Sequence, residues 1–222
     1  MEVTLEQMLE ARDNRAMKQM TLLRKFRLPI ISFSMNIPGP RKDSPLIRRG
    51  FEAGCRCLDH RLPRAAVKHR EIFTAVTGCE AVYVMDMEAA EIKRITTAIE
   101  DDHGLGRLFD MDVLDVDFCK LDRETVGGGS RDCIVCGAKG RGCASRRLHS
   151  VEELQQATGR ILRDYFRQED ARAVGSRAVR SLLDEVCTTP KPGLVDHRNR
   201  GSHRDMDLFS FIASASALGP YF

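Results

Sequence analysis

Asp110 and Asp112, in the run RLFDMDVLDVDF (107–118), are spaced for metal-assisted chemistry. On a strand, residues i and i+2 share a face and lie about 7 Å apart. Two carboxylates so placed can hold one or two Mg²⁺ ions, which prefer oxygen ligands and bind phosphates. Asp115 and Asp117 lie further along, beyond a change of face. The competing reading is an acidic solvent face on an edge strand, because D-x-D is a common string. A second group is Cys133-x2-Cys136-x6-Cys143-x5-His149. Thiolates and imidazole are the usual tetrahedral Zn²⁺ ligands, and C-x2-C is the knuckle spacing. The second half is irregular for a ribbon or finger, so a loop with reduced thiols stays open. Flanking Arg131, Arg141, Arg146 and Arg147 could instead bind phosphate, since guanidinium matches its oxygens in a bidentate way.

Two further stretches carry candidate chemistry. MNIPGPRKDSP (35–45) joins a Pro/Gly turn to Arg41, Lys42 and Ser44, a plausible anion cradle or a plain surface loop. TPKPGLVDHRNRGSHRDMD (189–207) packs two prolines, two glycines, three Asp and two His into nineteen residues. Asp196, His203, Asp205 and Asp207 offer metal and acid–base groups there, and Lys191 and Arg198 offer phosphate contacts. Its density of polar groups argues against a merely solvated loop.

The elements that must position these residues are readable in outline. Thr4 and Gln7 form a capping box for a helix over 4–26, where Leu5, Met8, Leu9, Met20 and Leu23 recur at helical spacing. LPIISFSMNI (28–37) predicts a strand ending in a breaker, and Ser44-Pro45 predicts the start of a helix over 45–60. A further helix is expected over 63–76, a strand over 80–87, a helix over 88–103 and a strand over 107–118. Ser150 caps a long helix, a polar linker is expected at 168–176, and a last helix at 176–188. Strands separated by helices predict an α+β or α/β domain with a mixed sheet, followed by a helical segment.

Composition bounds the function. Of 222 residues, 42% are apolar and 30% charged, with a net charge of +3, ordinary for a globular chain and too weakly basic to argue for nucleic acid. The basic segments 12–27 and 41–49 read by default as solvated faces. No apolar run is long enough to span a membrane, and the acidic, amphipathic start lacks the pattern of a secretion signal. A cytoplasmic location with reduced cysteines is therefore expected.

Three blocks, ISFSMNIPGPRK (31–42), GRLFDMDVLD (106–115) and RDCIVCGAKGRGCASRRLH (131–149), resemble those of holo-citrate lyase synthase, also called apo-citrate lyase phosphoribosyl-dephospho-CoA transferase. The segment EVCTTPKPGLVDHRNRGSHRDMDLFSF (185–211) resembles the N-terminal signature of triphosphoribosyl-dephospho-CoA synthase. The resemblance implies a fusion: a transferase domain over 1–167, a linker over 168–176, and the start of an all-α synthase domain over 177–222. It implies transfer of the prosthetic group from 2'-(5''-triphosphoribosyl)-3'-dephospho-CoA to a serine of the citrate lyase acyl carrier (gamma) subunit, releasing pyrophosphate. The acceptor serine belongs to the partner, so this chain needs no serine nucleophile. Asp110 and Asp112 are then the expected Mg²⁺ ligands, with Arg41, Lys42, Arg107 and Arg131 on phosphates. Cys133, Cys136, Cys143 and His149 remain a possible Zn²⁺ set. A bifunctional enzyme that also makes the precursor from ATP and 3'-dephospho-CoA is one alternative. The synthase-like residues present here are too few to bury a core of their own, so no independent synthase activity is expected from them. A non-catalytic zinc-binding interaction module is the other alternative.

Overall fold

The computed structural model describes residues 2–140 and 142–188, with side chains to 174 except at 144. The chain divides into two compact units, Met1–Arg177 and Ala178–Phe222, and the first carries the fold described below. Its sheet has five strands in the order β2-β3-β1-β4-β5: β1 Ile30–Met35, β2 Val67–Ala75, β3 Gly78–Met85, β4 Phe109–Leu114 and β5 Lys120–Leu121. Every pairing is antiparallel. The class is thus α+β, and the sheet expected to be mixed is not, because hairpins join β2 to β3 and β4 to β5.

Helices cover both faces. On one face, α2 (Pro45–Arg61) and α3 (Ala89–Asp102) bury Phe51, Leu58, Ile92 and Ile99 against Ile31, Phe33, Tyr83, Phe109, Met111 and Val113. After the short α4 (Gly142–Ser145), Leu162 and Phe166 of α5 (Val151–Thr188) join this core. The helix and sheet come close where Gly54 sits: an added Cβ would fall 2.4 Å from the Phe33 ring. That ring is itself fixed by stacking on Phe51 and an edge contact with Phe109. On the other face, α1 (Leu5–Phe26) contributes Leu22 and Leu23 to a smaller cluster with Ile30, Val82 and Val84. Only the end of α1 is anchored this way. Leu5 and Leu9, expected at core spacing, are exposed.

The helix starts follow local chemistry. Thr4 and Gln7 exchange the two bonds of a capping box, Ser44 caps α2 with Pro45 at its first position, and Ser150 and Glu153 cap each other at α5. Two expectations fail. The helix predicted over 63–76 is a short 3-10 turn, Arg64–Ala66, followed by β2. There His69, Glu71 and Phe73 sit opposite Val84, Val82 and Glu80, so the residues alternate between faces with period two. The linker predicted over 168–176 is helical, running without a break inside α5. Through residue 174 its polar residues are mostly exposed on that helix, where polarity alone does not break the backbone.

One edge of the sheet is closed by side chains. β5 pairs only with Val113 and Leu114, leaving the outer backbone of β4 at Phe109–Met111 without a strand partner. Glu100 Oε1 accepts the Met111 N–H at 2.8 Å, Lys93 Nζ donates to Met111 O at 3.2 Å, and Arg131 Nη1 donates to Phe109 O at 2.9 Å. Buried backbone groups need such partners, and an unpaired edge would otherwise be a template for aggregation.

Candidate functional site

The alternation of β4 places the aspartate pair. Phe109, Met111 and Val113 point into the main core, so Asp110 and Asp112 must point to the α1 face. Opposite them on β1 stand Ser34 and Ser32, both small and polar. The next strand adds Glu80, directly across from Ser34. These polar side chains form a patch on the sheet face beside the small apolar cluster where α1 packs.

Helix α1 answers that patch with a basic stripe. Arg15 Nη2 lies 2.5 Å from Glu80 Oε1, and Gln19 Nε2 donates to Ser32 Oγ at 2.9 Å. Arg12, Arg15 and Gln19 have helical spacing, one face of α1. From the opposite side, Lys120 Nζ of β5 lies 2.7 Å from Asp112 Oδ1. The loop after β1 closes over the end of the patch. It turns at Gly39, whose φ of 77° favours glycine, and it is held by Val3 N–H to Pro40 O at 2.9 Å and Lys42 Nζ to Ile37 O at 2.5 Å. The result is a cavity of about 160 Å³ whose walls include Arg12, Arg15, Ser34, Asn36, Lys42, Glu80 and Asp110.

Charge in this cavity is finely balanced. Partial burial, then repulsion by Asp112, raises the pKa of Asp110 above the ordinary carboxylate value. Burial, reinforced by the Arg12 charge, lowers that of Lys42. Arg15 is held above its usual value, chiefly by its bond to Glu80, with Asp110 and Asp112 adding to the effect. Burial alone would lower Lys120, but its contact with Asp112 and the charge of Asp110 raise it. Asp110, whose ionisation burial disfavours, thus stands among cations of which Arg15 and Lys120 hold their protons more tightly than usual and Lys42 less so, a place where one further cation, or one anion, shifts the balance.

The remaining predicted residues divide between other places. Arg41 is exposed and faces Glu2 at 3.9 Å, on the wall of a separate groove. Arg107 and Arg131 line a larger cavity of about 610 Å³ together with Arg123, Arg147, Cys133, Cys143 and His149. Asn36 borders both this cavity and the one holding Asp110. Arg131 spends its guanidinium on the carbonyls of Phe109 and Gly106, with Glu100 at 3.8 Å, so its first role here is to fasten β4. Arg107 donates to the Asp132 carbonyl, and burial plus the nearby Arg131 charge lower its pKa. Asp115 is outside the patch: its carboxylate accepts the amides of Asp117 and Cys119, each at 2.9 Å, in the β4–β5 turn.

The Cys/His block is brought together. The ligand-capable atoms of Cys133, Cys136, Cys143 and His149 all lie within 4.8 Å of one another. Backbone amides of Cys136 and Val135 donate to the Cys133 sulfur and lower its pKa to about 7. Sharing a proton with Cys136 pushes Cys143 up to about 11. Lys191, Asp196, His203, Asp205 and Asp207 lie outside the described residues.

Sequence reasoning missed Arg12, Arg15, Gln19, Glu80 and Lys120. A signal existed for α1: the basic excess over 12–27 falls partly on one helix face, which a periodicity count would have separated from a solvated stripe. No local signal marks Glu80 or Lys120, which arrive through strand pairing.

Fold and site together define an α+β domain whose sheet face opposes a carboxylate pair to cationic side chains, the donor set found where phosphate groups are transferred. The chain belongs to the apo-citrate lyase phosphoribosyl-dephospho-CoA transferase family, whose model matches residues 3–165. A second family model, ATP:dephospho-CoA triphosphoribosyl transferase, matches residues 171–222. Among relatives, "Protein CitXG" of Leuconostoc mesenteroides subsp. cremoris is 32% identical over 228 residues, covering 99% of this chain and 49% of that protein. "Protein CitXG" of Haemophilus influenzae is 31% identical, covering 99% of this chain and 47% of its own. The "Probable apo-citrate lyase phosphoribosyl-dephospho-CoA transferase" of Streptococcus pyogenes serotype M18 is 31% identical over 172 residues, 76% of this chain and 90% of that one. The chain thus spans about half the length of these first two relatives.

Proposed function

We propose that residues 3–165 transfer the phosphoribosyl-dephospho-CoA group from 2'-(5''-triphosphoribosyl)-3'-dephospho-CoA to a serine of the citrate lyase acyl carrier subunit. The observation that carries this reading is the cavity in which Asp110 meets Arg12, Arg15 and Lys42, within a chain of this family. In the reaction, the carrier's serine oxygen bonds to the α-phosphorus, the bond from that phosphorus to the bridging oxygen breaks, and pyrophosphate leaves with the electron pair. The serine proton is released as the new bond forms. Negative charge grows on the transferring and leaving oxygens, and preorganised cations in a confined site stabilise it best.

Arg12, Arg15 and Lys42 are the groups this chain supplies for that purpose. Arg15 is restrained by Glu80, so its guanidinium is oriented before substrate arrives. The donor set of Asp110 and Asp112 suits Mg²⁺: both are hard oxygen ligands on one face, and the raised pKa of Asp110 means that added positive charge favours its ionised form. Bound there, Mg²⁺ would offset charge on the triphosphate. The larger cavity beyond Asn36, with Arg107 and Arg123 on its walls, is the place for the rest of a long nucleotide ligand.

Asp110→Asn and Asp112→Asn test the reading. Each is expected to reduce transfer by about 10²-fold or more. The melting temperature of Asp110→Asn at neutral pH should stay level or rise, because the substitution removes a charge that the fold disfavours. Normal transfer rates in both variants would sink the assigned role.

A second reading is carried by the match of residues 171–222 to the triphosphoribosyl transferase family. In it, this chain corresponds to part of a bifunctional protein that also makes the precursor. Its signature is adenine released from ATP in the presence of 3'-dephospho-CoA.

A further inference from the structure

We propose that Cys133, Cys136, Cys143 and His149 form a structural Zn²⁺ site that fixes one wall of the larger cavity. Four ligand atoms within 4.8 Å of one another match a tetrahedral ion, for which Zn–S of about 2.3 Å implies sulfur–sulfur separations of roughly 3.7 Å. Cys136 Sγ and Cys143 Sγ stand 3.5 Å apart. His149 Nε2 is buried and has no hydrogen-bond partner, an orphan that a bound cation would satisfy. The backbone is already shaped for the purpose. Cys133 N–H donates to Ala138 O and Gly137 N–H to Cys133 O, both at 2.9 Å, and Gly137 turns the knuckle at φ 70°.

The segment also has a need for a cross-link. Among the described residues between Leu114 and Ala157, no apolar side chain joins the buried core, and the only α-helix that lies wholly between them is Gly142–Ser145. A stretch so poor in apolar burial holds a defined shape more readily when a metal ties it together. All four positions come from protein, which marks a structural ion rather than a catalytic one with an open position for water. Three thiolates and one neutral imidazole around Zn²⁺ leave a charge of −1, and Arg107 and Arg147 on the same cavity wall offset it. Cys133, Cys143 and His149 line that cavity directly, so the ion would set the shape of the wall.

The test needs no enzyme activity and is independent of the transferase reading. The full chain, expressed with zinc and purified without chelator, is measured by elemental analysis, and Co²⁺ is exchanged into it. About one equivalent of zinc is expected, with the thiolate charge-transfer and intense visible bands of tetrahedral cobalt. Cys136→Ser should lose most of the metal, whereas Cys119→Ser, at an exposed cysteine outside the cluster, should keep it. Chelator treatment of the unmutated chain should speed hydrogen exchange in residues 130–149 and leave β1 and β3 protected. Zinc below about 0.1 equivalent with no cobalt spectrum would overturn the proposal. So would a cobalt spectrum without thiolate bands, full retention of zinc by Cys136→Ser, or exchange unchanged by chelator.

Discussion

Asp110 carries a carboxyl group whose ionisation the fold disfavours. Its pKa in the folded chain is raised by partial burial and by Asp112, so the folded state binds its proton more tightly than the unfolded chain does. The sign follows: ionisation of Asp110 erodes stability as pH rises from the unfolded carboxylate value through the folded one, and the loss persists above it. A pH series of melting temperatures for the metal-free chain and for Asp110→Asn checks this: the native chain should fall behind the variant as pH rises through the carboxylate range, and parallel curves would contradict it. The aspartates were legible in the sequence because strand alternation puts i and i+2 on one face. Their companions Glu80 and Lys120 were not, since those depend on which strands pair, and pairing is a long-range outcome. Arg41 and Lys42 are adjacent in sequence yet line different cavities, a separation that only the turn at Gly39 and the closing bond from Lys42 to Ile37 determine.

At the scale of elements, β4 is the piece on which the site depends. Its inner residues pack in the core, its outer residues carry the aspartates, and its free edge is held by Glu100, Lys93 and Arg131. Glu100 is only 6% exposed, and burial raises its pKa, so its value to the fold is as an acceptor more than as a charge. Glu100→Ala should destabilise by about 1–3 kcal/mol, since it leaves the Met111 N–H buried without a partner. Glu100→Gln, which keeps an acceptor, should lose much less. Urea titrations of both variants decide the matter, and equal losses would show that the charge and not the hydrogen bond matters. Helix starts were readable here because caps act within four residues: the Thr4–Gln7 box forms as its spacing suggests, and Ser150, expected as a cap, is joined in the structure by Glu153. Strand β2 was misread because VKHREIFTA mixes charge with apolar residues on both faces. Its identity comes from pairing with β3, with His69 stacked on Phe26 and the Lys18 ammonium over the Phe73 ring.

On the scale of the whole molecule, the transferase family match and the antiparallel α+β unit coincide over most of Met1–Arg177. Among the described residues, no helix is long and apolar enough to cross a membrane. Residues 171–222 match a second family, and the two relatives aligned over 99% of this chain are about twice its length. The proposed transfer belongs to the first unit alone. It is tested most directly by incubating the 222-residue chain with Mg²⁺, 2'-(5''-triphosphoribosyl)-3'-dephospho-CoA and the apo acyl carrier subunit, then weighing the carrier by intact-protein mass spectrometry. One phosphoribosyl-dephospho-CoA group added per carrier, absent when Asp110→Asn replaces the native chain, is the expected result. An unchanged carrier mass, with substrate and carrier shown to be competent by a reference transferase, would contradict it.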